Sequence, residues 1–350
     1  MTVRAIKVYQ GYARDNIRSC REGPPLSSRA VAHTNDAAID TIPNPACPVC
    51  GGAGTVLHDG VVDRLFSAPG TWRLRICMQA ECLTVWPDPA PSESGLVTAY
   101  ARYYTHEQQP LERGDGGALV LRWLWQMTGL SGERLALRRM LLDGVAPGRV
   151  LDVGCGDGRR FEALEALGWR VEGQEVDGDA AAAARRAGRT VHLGAISILP
   201  LVAGAFDAVT MNHVIEHVRE PLAMLRDCRR LLRSGGRLVA ITPNAASLGH
   251  RTFAEHWRGL EPPRHLQVFT PESLAAIANQ AGFAHVDVRT SAANAYTFAV
   301  ASLGTAARSA GASPAFIAGR LAALRFQWQA SRTHRANALS GEECLLMAVA

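Results

Sequence analysis

The chain has 350 residues, long for one domain and short for two large ones, and its 47% apolar fraction suits a globular fold with a sizeable core. No apolar run approaches the roughly 18 residues a membrane-crossing helix needs, and the N-terminus lacks the apolar stretch of a secretory signal, so a cytoplasmic protein is expected. The formal charge of +5 does not point to nucleic acid: Lys7 is the only lysine, and the arginines are scattered, clustering no further than pairs such as Arg185-Arg186.

Residues 1–45 are polar, carry Gly23-Pro24-Pro25, Pro43 and Pro45, and show no periodicity, which reads as a flexible leader. Residues 46–91 form a small unit. Cys47-x2-Cys50 opens it, Cys77-x4-Cys82 closes it, and an alternating run at Thr71–Ile76 predicts a strand between them. Four thiolates on two knuckles suit a structural Zn²⁺ in a reducing compartment. Gly51 and Gly52 suit the tight turn after the first pair. Residues 92–145 predict a helical linker or lid, with Leu119, Leu121, Leu124 and Trp125 on one apolar side and Leu135, Leu137, Met140 and Leu141 on another.

From residue 146 the pattern alternates strand and helix. Strands are predicted at Arg149–Val153, Arg170–Val176, Thr190–Ile196, Phe206–Met211 and Arg237–Ile241, with helices such as Phe161–Leu167 and Pro221–Leu232 between them. This is the signature of a parallel sheet covered on both faces. His285–Arg289 and Cys344–Val349 predict two further strands at one edge. An Ala-rich helical insertion over 292–336 separates them. It is expected to close over a substrate, or to meet a lipid-like molecule or a second subunit of a homodimer through the apolar stretch Tyr296–Leu303.

The chemistry concentrates after the first strand of this domain. Leu151-Asp152-Val153-Gly154-Cys155-Gly156-Asp157-Gly158 places three glycines at a strand-to-helix turn, where the backbone can approach a ligand closely. Glu175 ends the next strand, 23 residues after Asp152, the place of a carboxylate that accepts from ribose hydroxyls. The third glycine comes one residue early for a pyrophosphate site, and Asp152 and Asp157 would repel phosphate. A cationic, phosphate-free nucleoside fits that charge.

These residues resemble the first motif of class I S-adenosylmethionine-dependent methyltransferases. The resemblance extends through His213-Val214-Ile215-Glu216-His217-Val218, Leu231-Leu232-Arg233-Ser234-Gly235-Gly236 and Thr242-Pro243-Asn244. It continues in Trp257-Arg258-Gly259-Leu260-Glu261-Pro262-Pro263-Arg264-His265-Leu266, which is similar to the subgroup of ubiquinone-type O-methyltransferases. It covers roughly residues 149–290 and implies an α/β fold. The expected core is a Rossmann-like seven-stranded sheet with its last strand antiparallel, preceded here by the four-cysteine, zinc-ribbon-like unit. S-adenosyl-L-methionine is the implied cofactor. Asp152, Gly154, Cys155, Gly156, Gly158, Glu175, Ala195 and Asn212 are the expected cofactor-binding residues. The slot that often holds an adenine-binding Asp reads Gly194-Ala195 here, leaving only the Ala195 backbone N–H for that contact.

His213 and His217 stand four apart, and a helix beginning near Asn212 would project both from one face beside Glu216. Related methyltransferases use a Glu-x-x-Glu-His segment and a later His to hold a divalent cation near the acceptor hydroxyl. By position that implies His213, Glu216, His217 and His265 as a catalytic group. Three roles stay open for it: a divalent-cation site, a histidine general base without metal, or a structural hydrogen-bond cluster. The acceptor is expected to be a small-molecule or sugar hydroxyl. RNA methylation and a non-catalytic cofactor-binding regulator are the alternatives.

Overall fold

The computed structural model describes residues 38–100, 130–311 and 316–350. The predicted apolar side Leu119–Trp125 lies outside these residues, as does most of the leader. Residues 38–45, placed in the leader by the sequence, carry strand β1 (Thr41–Ile42), which pairs antiparallel with β5 (Ala90–Pro91).

The cysteine-bearing unit is a three-stranded antiparallel sheet of β2 (Gly54–Val61), β3 (Trp72–Cys77) and β4 (Val85–Pro87). Alternation in β3 buries Trp72, Leu74 and Ile76 on one face. That face docks on the larger domain, where Leu57, Val61, Leu74, Ile76 and Val85 form one core with Ala245, Trp257, Leu260, Val268 and Phe298. An antiparallel bridge between Val85 and Val268 extends the contact through paired backbone bonds of 3.0 and 2.7 Å. The two units are therefore joined by shared apolar burial and by main-chain pairing.

Helices α1 (Glu93–Tyr100) and α2 (Leu130–Arg138) follow. The second helical side predicted from the sequence is only partly realised. Leu137 and Met140 are buried, but the helix stops at Arg138, Met140 and Leu141 take positive φ, and Leu135 is exposed.

The large domain is built on β6 (Arg149–Val153), β7 (Arg170–Glu175), β8 (Val191–Leu193), β9 (Phe206–Asn212), β10 (Leu232–Pro243), β11 (Ala284–Ser291) and β12 (Glu343–Val349). Their order across the sheet is β11-β12-β10-β9-β6-β7-β8, and β12 runs antiparallel to both neighbours. This is the seven-stranded arrangement the resemblance implied. Helices α3 (Phe161–Glu165), α4 (Gly178–Arg186), α5 (Pro221–Leu231), α6 (Leu248–Phe253) and α7 (Pro271–Gln280) connect the strands. The predicted insertion is present as α8 (Ala295–Ser309) and α9 (Phe316–Ala336). The order reverses between β6 and β9. In open α/β sheets, ligands bind beyond the strand ends at such a switch point, and the glycine loop after β6 stands there.

Candidate active site and cysteine centre

The loop after β6 is shaped by its glycines. Gly154, Gly156 and Gly158 have φ of 63°, 57° and 73°, backbone that a side chain would strain. A Cβ on Gly154 would lie 2.5 Å from Val214 Cγ2, whereas one on Gly156 would meet nothing within 4 Å. The first glycine thus lets the segment beginning at His213 pack against the loop, and the second leaves open space over bare backbone. Glu175 holds the loop from β7. Its Oε2 accepts the Gly156 N–H at 2.7 Å, and its Oε1 accepts the N–H groups of Val176 and Asp177. Asp152 is wholly buried, accepts the Thr210 hydroxyl at 2.8 Å and faces Arg160 at 3.4 Å. These contacts order the loop from beneath. Cys155 packs in a small core with Phe161, Ala181 and Ala184. Ala195 is exposed in the turn after β8, and Asn212 ends β9.

The predicted helix from Asn212 does not form. His213 adopts φ 54°, and a 3-10 turn spans Ile215–His217 before α5 begins at Pro221. The left-handed residue breaks the path from β9, and His213 lies outside the group formed by Glu216, His217 and His265. His213 is engaged through both ring nitrogens, Nδ1 to Glu216 at 3.1 Å and Nε2 to Glu343 at 2.9 Å. Burial opposes its charge, but the two carboxylates outweigh that and push His213 up to about 9. The same contacts act on Glu216: burial would raise it, and the hydrogen bond with His213 prevails, bringing it to about 2.

Glu216, His217 and His265 converge. Each offers a ligand atom, and these atoms lie within 4.8 Å of one another. His265 Nδ1 donates to the Gly259 carbonyl at 2.7 Å, which leaves Nε2 with its lone pair. His217 Nδ1 faces the Arg264 carbonyl at 3.1 Å and the Tyr100 hydroxyl at 2.8 Å. The two rings meet edge to face, with centroids 4.6 Å apart. Burial pushes His217 down to about 4 and His265 well below the usual imidazole value. A cavity of about 470 Å³ opens on the cluster, lined by His213, His217 and His265 together with Arg258, Asn294, Thr297, Phe298 and Glu343. Glu343 also accepts from the Asn294 amide at 2.8 Å. Sequence reasoning missed Tyr100, Asn294 and Glu343. Only the adjacent carboxylates Glu342-Glu343 at the start of the last strand offered a signal.

The loop that carries His265 is fixed by a buried cation. Arg264 Nη2 donates to Asp63 at 2.7 Å, Nε to Glu261 at 3.1 Å and Nη1 to the Ala99 carbonyl at 2.9 Å. Nearby, Trp257 stacks on His250 and donates its indole N–H to Glu342 at 3.1 Å. His250 lies 3.1 Å from His58 of the small unit. Burial pushes His58 down to about 3 and His250 down to about 4. Both imidazoles are thus neutral in the folded chain, whereas the unfolded chain binds protons on them below their ordinary value of 6.5. Their contribution is therefore fully present above that value and lost as pH falls toward the folded ones. Each should cost about 2 kcal/mol of stability between pH 7 and 5. Urea unfolding at the two pH values measures this, and His58→Gln should flatten the dependence.

The four paired cysteines also converge, with sulfurs within 4.8 Å of one another. Cys47 and Cys82 are 3.7 Å apart, and Cys50 and Cys77 are 3.4 Å apart. A zinc tetrahedron with bonds near 2.3 Å requires sulfur separations of about 3.8 Å. Gly51, with φ 71°, lets its N–H donate back to the Cys47 carbonyl at 2.8 Å. The donor set and spacing fit a zinc centre with four thiolate ligands.

The sheet order, with the glycine loop at its switch point, is that of a Rossmann-like methyltransferase fold. A family model described as "Methyltransferase domain" matches residues 133–288. A ubiquinone biosynthesis O-methyltransferase of Xanthomonas campestris pv. campestris (strain B100) is 39% identical over 140 residues, covering 36% of this chain and 58% of that protein. This match thus spans less than two thirds of that enzyme's length. The enzyme of the same name from Xanthomonas axonopodis pv. citri (strain 306) is 35% identical over 190 residues, covering 49% and 79%. Among solved structures, a SAM-dependent methyltransferase of Thermotoga maritima, titled as a possible histamine N-methyltransferase, is 24% identical with a TM-score of 0.38, covering 47% of this chain and 82% of that one. A SAM-dependent methyltransferase of Archaeoglobus fulgidus is 18% identical with a TM-score of 0.43, covering 63% and 94%. The chain belongs to the class I S-adenosylmethionine-dependent methyltransferases.

Proposed function

We propose that the protein transfers a methyl group from S-adenosylmethionine to a hydroxyl oxygen of a small-molecule or sugar acceptor. The observation that carries this reading is the contact of Gly154 with Val214, which sets the glycine loop directly against the segment bearing Glu216 and His217, where these meet His265 at the cavity. The open backbone at Gly156 and the Glu175 carboxylate fit the nucleoside end of the donor. S-adenosylmethionine, when bound, supplies an electrophilic methyl group. The chain's own task is to hold the acceptor oxygen in line and to favour its deprotonated form.

Two ways of doing so follow from the cluster. A divalent cation held by Glu216, His217 and His265 would lower the pKa of the acceptor hydroxyl and orient it. The backbone carbonyls on both Nδ1 positions favour this reading, because a histidine ligand is ordinarily fixed by a bond from its other nitrogen. His213 then serves as a charged link between Glu216 and Glu343 rather than as a ligand. The second way is a general base, with His265 Nε2 as the free lone pair. Labelled methyl transfer to a panel of phenolic and sugar acceptors, with and without chelator, tests the proposal. A labelled O-methyl product supports it. Transfer only to nitrogen or to RNA would overturn the acceptor class.

The cysteine centre is proposed to hold structural Zn²⁺, which would stabilise the face that docks on the larger domain. Metal analysis of the purified protein should find about one zinc per chain, lost together with the fold of this unit when Cys47 and Cys77 are replaced by serine. Metal-free protein with the unit intact would refute the centre.

A further inference from the structure

We infer that the outward face of helix α9 is a docking surface for an anionic lipid bilayer. Between Asp287 and Glu342 the sequence contains no acidic residue, while α8 and α9 carry Arg308, Arg320, Arg325, Arg332 and Arg335. On α9, Leu321, Arg325, Trp328, Arg332 and Arg335 are all exposed. Their spacing of four, three, four and three residues confines them to an arc of about 80° and a length of about 21 Å along one helix. The opposite side is committed. Ala323, Phe326 and Ala330 are buried against Ala292, Ala295 and Ala299, and Phe326 packs on Phe253 at 4.9 Å.

A merely solvated helix face normally mixes charge signs and pairs them at four-residue spacing. This stripe has one sign only, and it keeps two large apolar side chains in water: Trp328 is 62% exposed and Leu321 is 55% exposed. Arginine, tryptophan and leucine along one helix are the chemistry of a bilayer interface, where guanidinium groups meet lipid phosphates and the indole sits at headgroup depth. A single-stranded nucleic acid would want several open stacking faces. Here Trp328 is the one aromatic of the stripe, and the Arg332 guanidinium already covers a face of it, 4.6 Å from the ring centroid. The partner helix α8 contributes Thr297, Phe298 and Ala301 to the cavity, so docking through α9 would bring the cavity-lining layer close to the membrane surface. The inference does not depend on methyl transfer.

Co-sedimentation of the full chain with vesicles of phosphatidylcholine, with and without phosphatidylglycerol, tests it. Binding is expected only with the anionic lipid and should weaken as salt rises. A cation near such a surface is worth about 1 kcal/mol, so Arg325→Gln/Arg332→Gln/Arg335→Gln should bind about a hundredfold more weakly. The difference in fluorescence between the wild type and Trp328→Phe should shift to shorter wavelength on vesicle addition. No binding at low salt, equal binding by the triple variant, or binding of a single-stranded RNA oligonucleotide without binding of vesicles would overturn the inference. Unchanged S-adenosylhomocysteine affinity in the triple variant shows that its fold is intact.

Discussion

Replacing Arg264 by alanine is expected to destabilise the protein by about 3–5 kcal/mol, the usual consequence of leaving buried opposite charges without their partner. Arg264 is wholly buried and contacts three separate parts of the chain: Asp63 in the loop between β2 and β3, Glu261 in its own loop and the Ala99 carbonyl of α1. Its guanidinium also lies over Phe66, 4.6 Å from the ring centroid. Without it, buried Asp63 loses its counter-charge, Glu261 is left with Arg258 alone, and the small unit loses a tie to the larger domain. The effect should reach the active site, because the Arg264 carbonyl faces His217 and the next residue is His265. The midpoint of urea unfolding is the measurement. A loss below about 1 kcal/mol would place Arg264 with the surface ion pairs, which contribute that little.

The second large effect is on rate. His265→Ala should lower kcat by about 10²–10⁴-fold, the range for removing a group that moves or polarises a proton in the transition state. The donor should still bind, since the glycine loop and Glu175 do not include His265. Added divalent cation separates the two mechanisms. If Glu216, His217 and His265 hold a metal, high metal concentration should partly restore a His265→Ala or His217→Ala enzyme. If His265 is the base, it should not. Activity of His265→Ala near that of the wild type would remove the cluster from the chemistry.

How much of this was legible in the sequence depends on how local the signal is. The strand at Arg149–Val153 has its predicted bounds, because its apolar run stops at Gly154. The strand predicted over Thr190–Ile196 is shorter: only Val191–Leu193 pairs with β7, and Gly194, with φ 127°, ends it. Strand β10 begins before its predicted start at Arg237, with Leu232 already paired to Phe206 of β9. Its pairing with β9 resumes after an irregularity between Leu232 and Arg237. The helix expected from Asn212 failed for a reason that spacing does not show. One left-handed residue, His213, redirects the chain before the periodicity can act.

Partners far apart in the chain were the least legible. Asp63 and Arg264 are separated by 201 positions, and His213 and Glu343 by 130. No periodicity links such pairs. They meet because the small unit docks on the loop of residues 254–270 and because β12 inserts between β10 and β11. The cysteine centre lay at the other extreme, since two short spacings bring four sulfurs to one place.

The central claim is that the loop at Leu151–Gly158, braced by Glu175, binds the methyl donor. Calorimetric titration with S-adenosylhomocysteine tests it most directly, with Glu175→Ala as the paired variant. The account predicts saturable binding of one molecule per chain and clearly weaker binding by the variant. An absence of heat at high ligand concentration would contradict the claim, and equal affinity in the two proteins would remove Glu175 from the site.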